Sequence, residues 1–390
     1  MEVNGYEVGP NTDLSEADLR GANLDELDLS EADLSRALLQ KASLVRTNLS
    51  KAKLGRGDLT GPISLNGADL TEANLTEANL TKTWLEEANL AGANLTEANL
   101  TGAILTDANL DGANLTGADL TEAFLQKASL VGANLTEANL FRAELDGGWR
   151  GRANLTGANL TGAKLHAAIV YSADLTGATL CGAVIIQALL AGGRLNGADL
   201  AGANIVASNF NDATLVGADL SSAVLRDSLF ERVKLDQANL IGANLTKTNL
   251  TNASLPAAAL IGANCQFSVF EGANLVGAVL DKAFFVGANL TGADLSRASL
   301  EGAQFGSAML TGANLHRALV INVFMGSTNL GNADLSRADL TGSDLSGAFL
   351  KGADLTGAVL EEVNLTGAIA DQRTVWPDGF DPEGSGIKLM

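Results

Sequence analysis

Leucine recurs at every fifth residue along most of the chain. From Leu65 to Leu365 this register holds for 61 consecutive positions, and an earlier run from Leu14 to Leu59 adds ten more. A small residue, usually Ala, stands two places before nearly all of these central positions, and the place directly before is usually Asn or Asp. A period of five matches neither the 3.6 of an amphipathic helix nor the 2 of a strand. The pattern predicts an extended chain that turns a corner every five residues and points each central residue inward.

Four such pentads can close one coil, so that residues twenty positions apart stack directly and backbone hydrogen bonds join neighbouring coils at strand spacing. Each coil then buries about four Leu side chains, at roughly 1.5–3 kcal/mol each. Twelve of the 71 central positions are not Leu, and these are Arg150, Val170, Ile185, Ile205, Phe210, Phe230, Cys265, Phe270, Phe285, Phe305, Val320 and Met325.

Segments such as Ala73-Asn74-Leu75-Thr76-Glu77 repeat the pattern A(D/N)LXX letter for letter. From residue 12 to about residue 370 the chain therefore resembles the pentapeptide-repeat family, and its flanks resemble those of cyanobacterial members. The resemblance implies an all-β fold, a right-handed quadrilateral β-helix, here of about 18 coils.

The pattern is interrupted at two places and ends at two flanks. The step from Leu59 to Leu65 is six residues, which predicts one extra residue in a bulge or loop at 60–64 between a first repeat section (12–59) and the main helix (65–370). Arg150 occupies a central position after two glycines, so we expect its pentad to loop outward and expose Trp149 or Arg150. Residues 1–11 and 371–390 are predicted to be caps, with Trp376 and Phe380 over the last Leu layer.

Composition and charge narrow the classes of partner. The 390 residues include 45 acidic and 25 basic ones, for a net charge of −20, which opposes nonspecific binding to nucleic acid or anionic membranes. No apolar stretch approaches the length of a membrane span, and the polar N-terminus does not resemble a secretory signal. We therefore expect a cytoplasmic protein without membrane insertion, in which Cys181 and Cys265 are reduced.

The outward residue before each central position can be sorted into four faces, if every coil has twenty residues. One face is apolar at Trp149, Ile169, Leu189, Leu229, Val269, Met309, Phe349 and Ile369. Its neighbour is apolar at Trp84, Ile104, Phe124, Val184, Val224, Phe284 and Phe324, whereas a third face is polar from Asn74 through Asn154 to Asp354. Exposed apolar stripes mark contact surfaces, although drift at weakly constrained repeat positions would produce the same pattern. The first of these faces, from Trp149 to Phe349, is the candidate interaction face.

The sequence contains no recognisable catalytic motif, and it predicts no catalytic, cofactor-binding or metal-binding residues. His166 and His316 are 150 residues apart, and no phosphate-binding loop, zinc-protease motif or nucleophile elbow occurs. We therefore predict a protein that is not an enzyme.

Three functions are compatible with these features. The first is a rigid scaffold that binds a protein partner or a second copy of itself through its outer faces. The second follows from the family resemblance: some pentapeptide proteins mimic DNA and bind DNA gyrase, and this chain is acidic, although residues 151–270 carry a net charge of zero. The third is a Thr- and Asn-rich face that binds a regular surface such as ice or a glycan.

Overall fold

The computed structural model describes residues 1–55, 64–146 and 151–390, which form two compact units, Met1–Asp199 and Leu200–Met390. Each unit is a right-handed quadrilateral β-helix. The chain turns at a corner after each central residue. Each corner is closed by a hydrogen bond between that central residue and the small residue three places later. In the first corner, the backbone N–H of Ala17 donates to the carbonyl oxygen of Leu14 at 3.1 Å. Glu16 has a φ of 61°, and a left-handed residue at this place is what a type II turn requires.

Single parallel β-bridges join each coil to the next, in four columns around each unit. Asn94 bridges Asn114 twenty residues later, and the backbone N–H of Leu95 donates to the Asn114 carbonyl oxygen at 2.7 Å. Because the bridged residue points outward, the next residue of the pentad points inward, and Leu95 and Leu115 are fully buried. The sequence therefore predicts both the repeat and the direction of its central side chains correctly.

The core of each unit consists of central residues and the small residues beside them. In unit 2 several central positions are aromatic, and the rings of Phe210 and Phe230 stack with centroids 4.8 Å apart. Where Thr or Ser replaces the small Ala, its hydroxyl is satisfied inside the core. Thr248 Oγ1, for example, donates to the carbonyl oxygen of Leu225 at 2.9 Å. Cys265 is fully buried, as predicted for a central position.

Two coils of unit 1 are longer than twenty residues. Leu38 bridges Ser64, so that coil has 26 residues and six are additional. The prediction of one extra residue is therefore wrong. The coil contains one residue and one whole pentad more than twenty, and the additional pentad could not be recognised from the spacing of the leucines. Leu59 and residues 60–63 lie outside the described residues. Ser129 bridges Asn154, so a second coil has 25 residues and contains one additional pentad. Trp149 and Arg150 also lie outside the described residues.

Longer strands occur, among the described residues, only at the two ends of the chain. At the N-terminus, β1 (Glu2–Val3) pairs antiparallel with β2 (Tyr6–Glu7). At the C-terminus, β3 (Ile369–Ala370) pairs in parallel with β4 (Lys388–Leu389), after a 3-10 helix at Glu383–Ser385. The rings of Trp376 and Phe380 stack on each other at 5.0 Å. That they cover the last Leu layer remains a prediction.

Candidate interaction surfaces

In unit 1 the bridges collect large apolar side chains into one column. We call it the Trp84 column, and its members in order are Trp84, Ile104, Phe124, Glu144, Ile169 and Leu189. Trp84 and Phe124 are exposed, whereas the other members are half-buried. Five of six successive coils thus present an apolar residue along the same line.

The Trp84 column differs from the faces that the sequence predicted. Counting in twenties put Ile169 and Leu189 on one face and Trp84, Ile104 and Phe124 on its neighbour. The 25-residue coil places Ile169 opposite Glu144 instead of Trp149, and the two predicted faces become one in this unit. Val184 was assigned to the same face as Trp84, and this is wrong because it bridges Lys164 on a different column.

Glu144 interrupts the Trp84 column and is one of the residues that line a groove there. The groove has a volume of about 430 Å³ and is lined by Glu122, Phe124, Arg142, Glu144, Ala167 and Ile169. Gln126 Nε2 donates to Glu144 Oε2 at 3.0 Å, and Thr106 Oγ1 donates to Gln126 Oε1 at 3.2 Å. These bonds restrain the Glu144 carboxylate, which shares the lining of the groove with Phe124 and Ile169.

The cations and rings beside the groove are already engaged with one another. Arg142 Nη1 lies 3.7 Å from Glu122 Oε1, and the Arg142 guanidinium lies over the Phe141 ring at 5.1 Å. Phe141 in turn stacks on His166, with ring centroids 5.5 Å apart. Two carboxylates and one guanidinium therefore line the groove, which leaves it with a net negative charge.

In unit 2 the other predicted members of the candidate face also share one column. Bridges connect Asn209, Leu229, Asn249, Val269, Asn289, Met309, Asn329 and Phe349 in that order, and Ile369 follows. We call this the Leu229 column. Leu229, Met309 and Phe349 are 40%, 45% and 44% exposed, respectively, so apolar and Asn side chains alternate along it. The sequence correctly grouped its apolar members, because every coil between them has twenty residues.

Two aromatic side chains lie at the corner that precedes the Leu229 column. A Cβ at Gly306 would come within 2.7 Å of the Phe324 ring, and one at Gly326 within 2.8 Å, so this ring lies over two glycine backbones. Phe267 lies over Gly287 in the same way, is 57% exposed and has a left-handed φ of 59°. Neither Phe267 nor these glycines were predicted from the sequence as part of a surface. A bulky residue at a position that otherwise favours Gly was the available signal.

The polar column of unit 1 is closed by its own hydrogen bonds. Asn94 Nδ2 donates to Thr76 Oγ1 at 2.9 Å, while Thr96 Oγ1 donates to Asn94 Oδ1 at 2.6 Å, and this pattern repeats up the column. After Asn134 the column continues at Asn159, not at Asn154 as predicted. Because the ladder uses these groups internally, the column offers a partner few free donors or acceptors.

The described residues hold no group of three His, Cys, Asp or Glu side chains placed to bind a metal ion. Burial raises the pKa of the Cys265 thiol far above its ordinary value, so this thiol stays protonated and unreactive. Cys181 is half-buried and also a free thiol. Among the described residues no helix is long or apolar enough to cross a lipid bilayer.

The repeats of this chain match those of a known protein family. The family model described as "Pentapeptide repeats (8 copies)" matches eleven stretches between residues 10 and 369. The chain belongs to the pentapeptide-repeat family. The sequence-based identification and the fold that it implied are therefore confirmed, whereas the count of about 18 coils and the section boundaries remain predictions.

Solved structures of other pentapeptide-repeat proteins are similar to this one. Rfr23 from the cyanobacterium Cyanothece 51142 is 38% identical over 24% of this chain and 63% of its own, with a TM-score of 0.24. The match thus spans less than two thirds of Rfr23. HetL, involved in heterocyst differentiation regulation in the cyanobacterium Nostoc sp. strain PCC 7120, is 30% identical over 75% of this chain and 91% of its own, with a TM-score of 0.21. QnrB1, a plasmid-mediated fluoroquinolone resistance protein, is 20% identical over 50% of this chain and 89% of its own, with a TM-score of 0.35.

No curated protein sequence matches this pentapeptide-repeat protein. None of the three superpositions reaches a TM-score of 0.5, so the assignment rests on the family model and the coil geometry.

Proposed function

We propose that this pentapeptide-repeat protein is a non-catalytic scaffold and that the Trp84 column is its docking surface for a partner protein. The partner presents an apolar surface with Lys or Arg at its edge. The observation that carries the proposal is the alignment of Trp84, Ile104, Phe124, Ile169 and Leu189 along one line of unit 1. An alignment of apolar side chains, exposed at Trp84 and Phe124 and half-buried at the other three, is unusual on a surface without a binding role.

The groove at Glu144 supports the choice of a basic partner. The methylene stem of a Lys or Arg side chain can pack between Phe124 and Ile169 while its cation meets the Glu144 carboxylate. Residues 1–199 contain 26 acidic and 14 basic residues, a net charge of −12. A field of this sign attracts a basic surface during diffusional encounter.

Affinity capture followed by titration tests this function. The bait is the full chain, compared with a Phe124→Asn, Ile169→Asn variant and with a matched control, Val131→Asn, Val184→Asn, which alters apolar residues of unit 1 outside the column. The captured protein is then purified and titrated against each. We expect the column variant to weaken binding by at least about tenfold and the control to leave it unchanged. We also expect Glu144→Gln to reduce the salt dependence of binding. Equal binding by all baits, or no captured protein, would contradict the proposal.

A DNA mimic that binds gyrase is the second candidate, and the net charge of −12 on residues 1–199 favours it. In that case surface carboxylates carry the interaction and the apolar residues do not. Capture of gyrase by the wild type and the column variant alike would therefore establish this alternative in place of the first.

A further inference from the structure

From Asn209 to Phe349 the Leu229 column alternates between polar and apolar side chains, so that its relief repeats every two coils. Its apolar members Leu229, Val269, Met309 and Phe349 are forty residues apart, and an Asn lies between each pair. With coils about 4.8 Å apart, successive apolar side chains are about 9.6 Å apart. This spacing leaves one coil of room between them.

The Asn side chains leave that room open because their amide groups bond back to the corner. Asn209 Oδ1 accepts the backbone N–H of Asn211 at 2.9 Å, and Asn249, Asn289 and Asn329 accept the N–H two residues later in the same way at 3.0 Å. Asn249 Nδ2 also donates to Glu231 at 2.8 Å. All four Asn residues are half-buried. The exposed Leu229, Met309 and Phe349, together with the half-buried Val269, therefore form the knobs of the column, and the Asn positions between them are its depressions.

We propose that the Leu229 column docks antiparallel onto the Leu229 column of a second copy of this chain, overlapping from Asn209 to Phe349, so that each knob enters a depression of the other copy. Large and small positions then interdigitate as in a well-packed core. An antiparallel two-fold arrangement gives both copies the same contacts and closes the assembly as a dimer. This inference concerns unit 2 and does not depend on the proposed function of the Trp84 column.

Two observations favour a second copy over another partner. The first is the spacing of the apolar side chains. A second copy has the same two-coil spacing. An α-helix with apolar residues every seven positions has a repeat of about 10.5 Å, so it would be displaced from the column by about 3 Å after three intervals. The second is charge. No member of the column is charged, and the preceding corner is uncharged from Gln266 to Gly347. The following corner carries Asp212, Glu231, Arg232, Glu271 and Lys351. In the antiparallel overlap each of these charged corners lies opposite a corner of the other copy that has no charge of the same sign, so two acidic chains can meet here.

The available area indicates a dimer that dissociates readily. Eight coils give a strip roughly 38 Å long, and one side of the coil with its corners is about 16 Å wide. Each copy would then bury roughly 600 Å², which is near the lower limit for a stable interface. Phe267 and Phe324, at the preceding corner, extend the apolar surface on one edge.

Sedimentation equilibrium of the full chain over about 1–200 µM tests the proposal, because a mass-action dimer appears as a concentration-dependent mass. The first variant replaces Leu229, Val269, Met309 and Phe349 with Asn, the residue that the column already accommodates. The control replaces four other apolar residues of unit 2, Ile241, Ile261, Leu319 and Val359, with Asn. We expect a wild-type monomer–dimer equilibrium, a dissociation constant at least about tenfold higher in the first variant, and no change in the control.

A gap-filling variant, Asn289→Leu with Asn329→Leu, distinguishes interlocking of knobs and depressions from nonspecific hydrophobic association. It adds apolar area but fills two depressions, so we expect it to weaken the dimer; circular dichroism and melting curves establish that every variant is folded. The proposal is overturned if the wild type stays monomeric, if the knob variant dimerises as well as the wild type does, or if gap filling strengthens association.

Discussion

The ring of Phe285 stacks on the ring of Phe305 inside unit 2, with centroids 4.7 Å apart and planes inclined by 6°. These residues are central residues of successive coils, and both are fully buried. The ring separation matches the strand spacing that hydrogen bonding imposes on the coils, about 4.8 Å. The same distance between coils therefore suits both the backbone hydrogen bonds and the stacked rings. This explains how an interior made mostly of Leu accommodates Phe in consecutive coils.

Truncating one member of this stack should open a cavity. We expect Phe305→Ala to reduce the free energy of unfolding by about 3–5 kcal/mol, because neighbouring coils held by the ladder cannot collapse around it. Phe284→Ala is the matched control. Phe284 is the sequence neighbour of Phe285 but is 44% exposed, so we expect a loss below about 1 kcal/mol. Urea unfolding followed by circular dichroism measures both, and equal losses would contradict the inward and outward assignments.

Disulfide trapping checks the register of the 25-residue coil. In a Cys181→Ser background, Glu144→Cys with Ile169→Cys should form a disulfide, since these residues are bridged on adjacent coils. A coil of twenty residues would instead place Lys164 opposite Glu144. We therefore expect the control variant, Glu144→Cys with Lys164→Cys, to remain reduced. The reverse outcome would restore the faces predicted from the sequence.

Deleting residues 146–150 should leave the fold intact. The Ala153 N–H already donates to the Leu145 carbonyl oxygen at 3.2 Å, the bond that elsewhere closes a corner over three residues. After deletion, Leu145 is followed directly by Gly151, Arg152, Ala153 and Asn154, which is an ordinary pentad. We expect a melting temperature close to that of the wild type and a retained disulfide between Glu144→Cys and Ile169→Cys. Loss of either would show that the additional pentad is required for folding.

Replacing Phe267 with Gly should stabilise the protein. Phe267 has a left-handed φ of 59°, which costs a bulky residue roughly 1–2 kcal/mol, and its exposed ring loses little burial when removed. We expect Phe267→Gly to raise the free energy of unfolding by about 1 kcal/mol. Gln266→Gly, at the neighbouring residue without a positive φ, should lower it instead. A loss of stability in Phe267→Gly would mean that the ring contributes more by packing on Gly287 than its backbone costs.

The first coil of unit 1 should respond to acid through Asp18. Hydrogen bonds from the Arg20 side chain, and then from its backbone N–H, lower the pKa of Asp18 from 3.8 to about 2. Because the folded-state pKa is lowered, the interaction stabilises at pH values above about 4 and is lost as the pH falls towards 2. An NMR titration should show that Arg20→Gln moves the Asp18 pKa back towards its ordinary value. An unchanged Asp18 pKa would exclude the Arg20 side chain as the main cause.

The interior could be predicted from the sequence because its rule is local. Every fifth residue faces inward, and the stack of Phe285 on Phe305 follows from their separation of twenty. The outer columns could not all be predicted. All pentads have the same sequence pattern, so the sequence does not show which four of them close a coil and which one is additional. Leu145 and Leu155 are ten apart whether or not a pentad between them is additional, so counting assigned Ile169 to the wrong neighbour. The depressions beside Met309 also depend on Asn side-chain conformations that no spacing reveals.

The corner between Leu145 and Ala153 shows that the number of residues in a corner can change while its closing hydrogen bond is kept. It closes with the same hydrogen bond as its counterparts although it spans five more residues, and the coils on either side keep their columns. Foreign peptides could therefore be grafted at such corners without repacking the interior. Successive corners on one column would hold their guests about 4.8 Å apart along the helix axis. A repeat of this kind could serve as a molecular ruler on which the spacing of displayed ligands is chosen by counting coils.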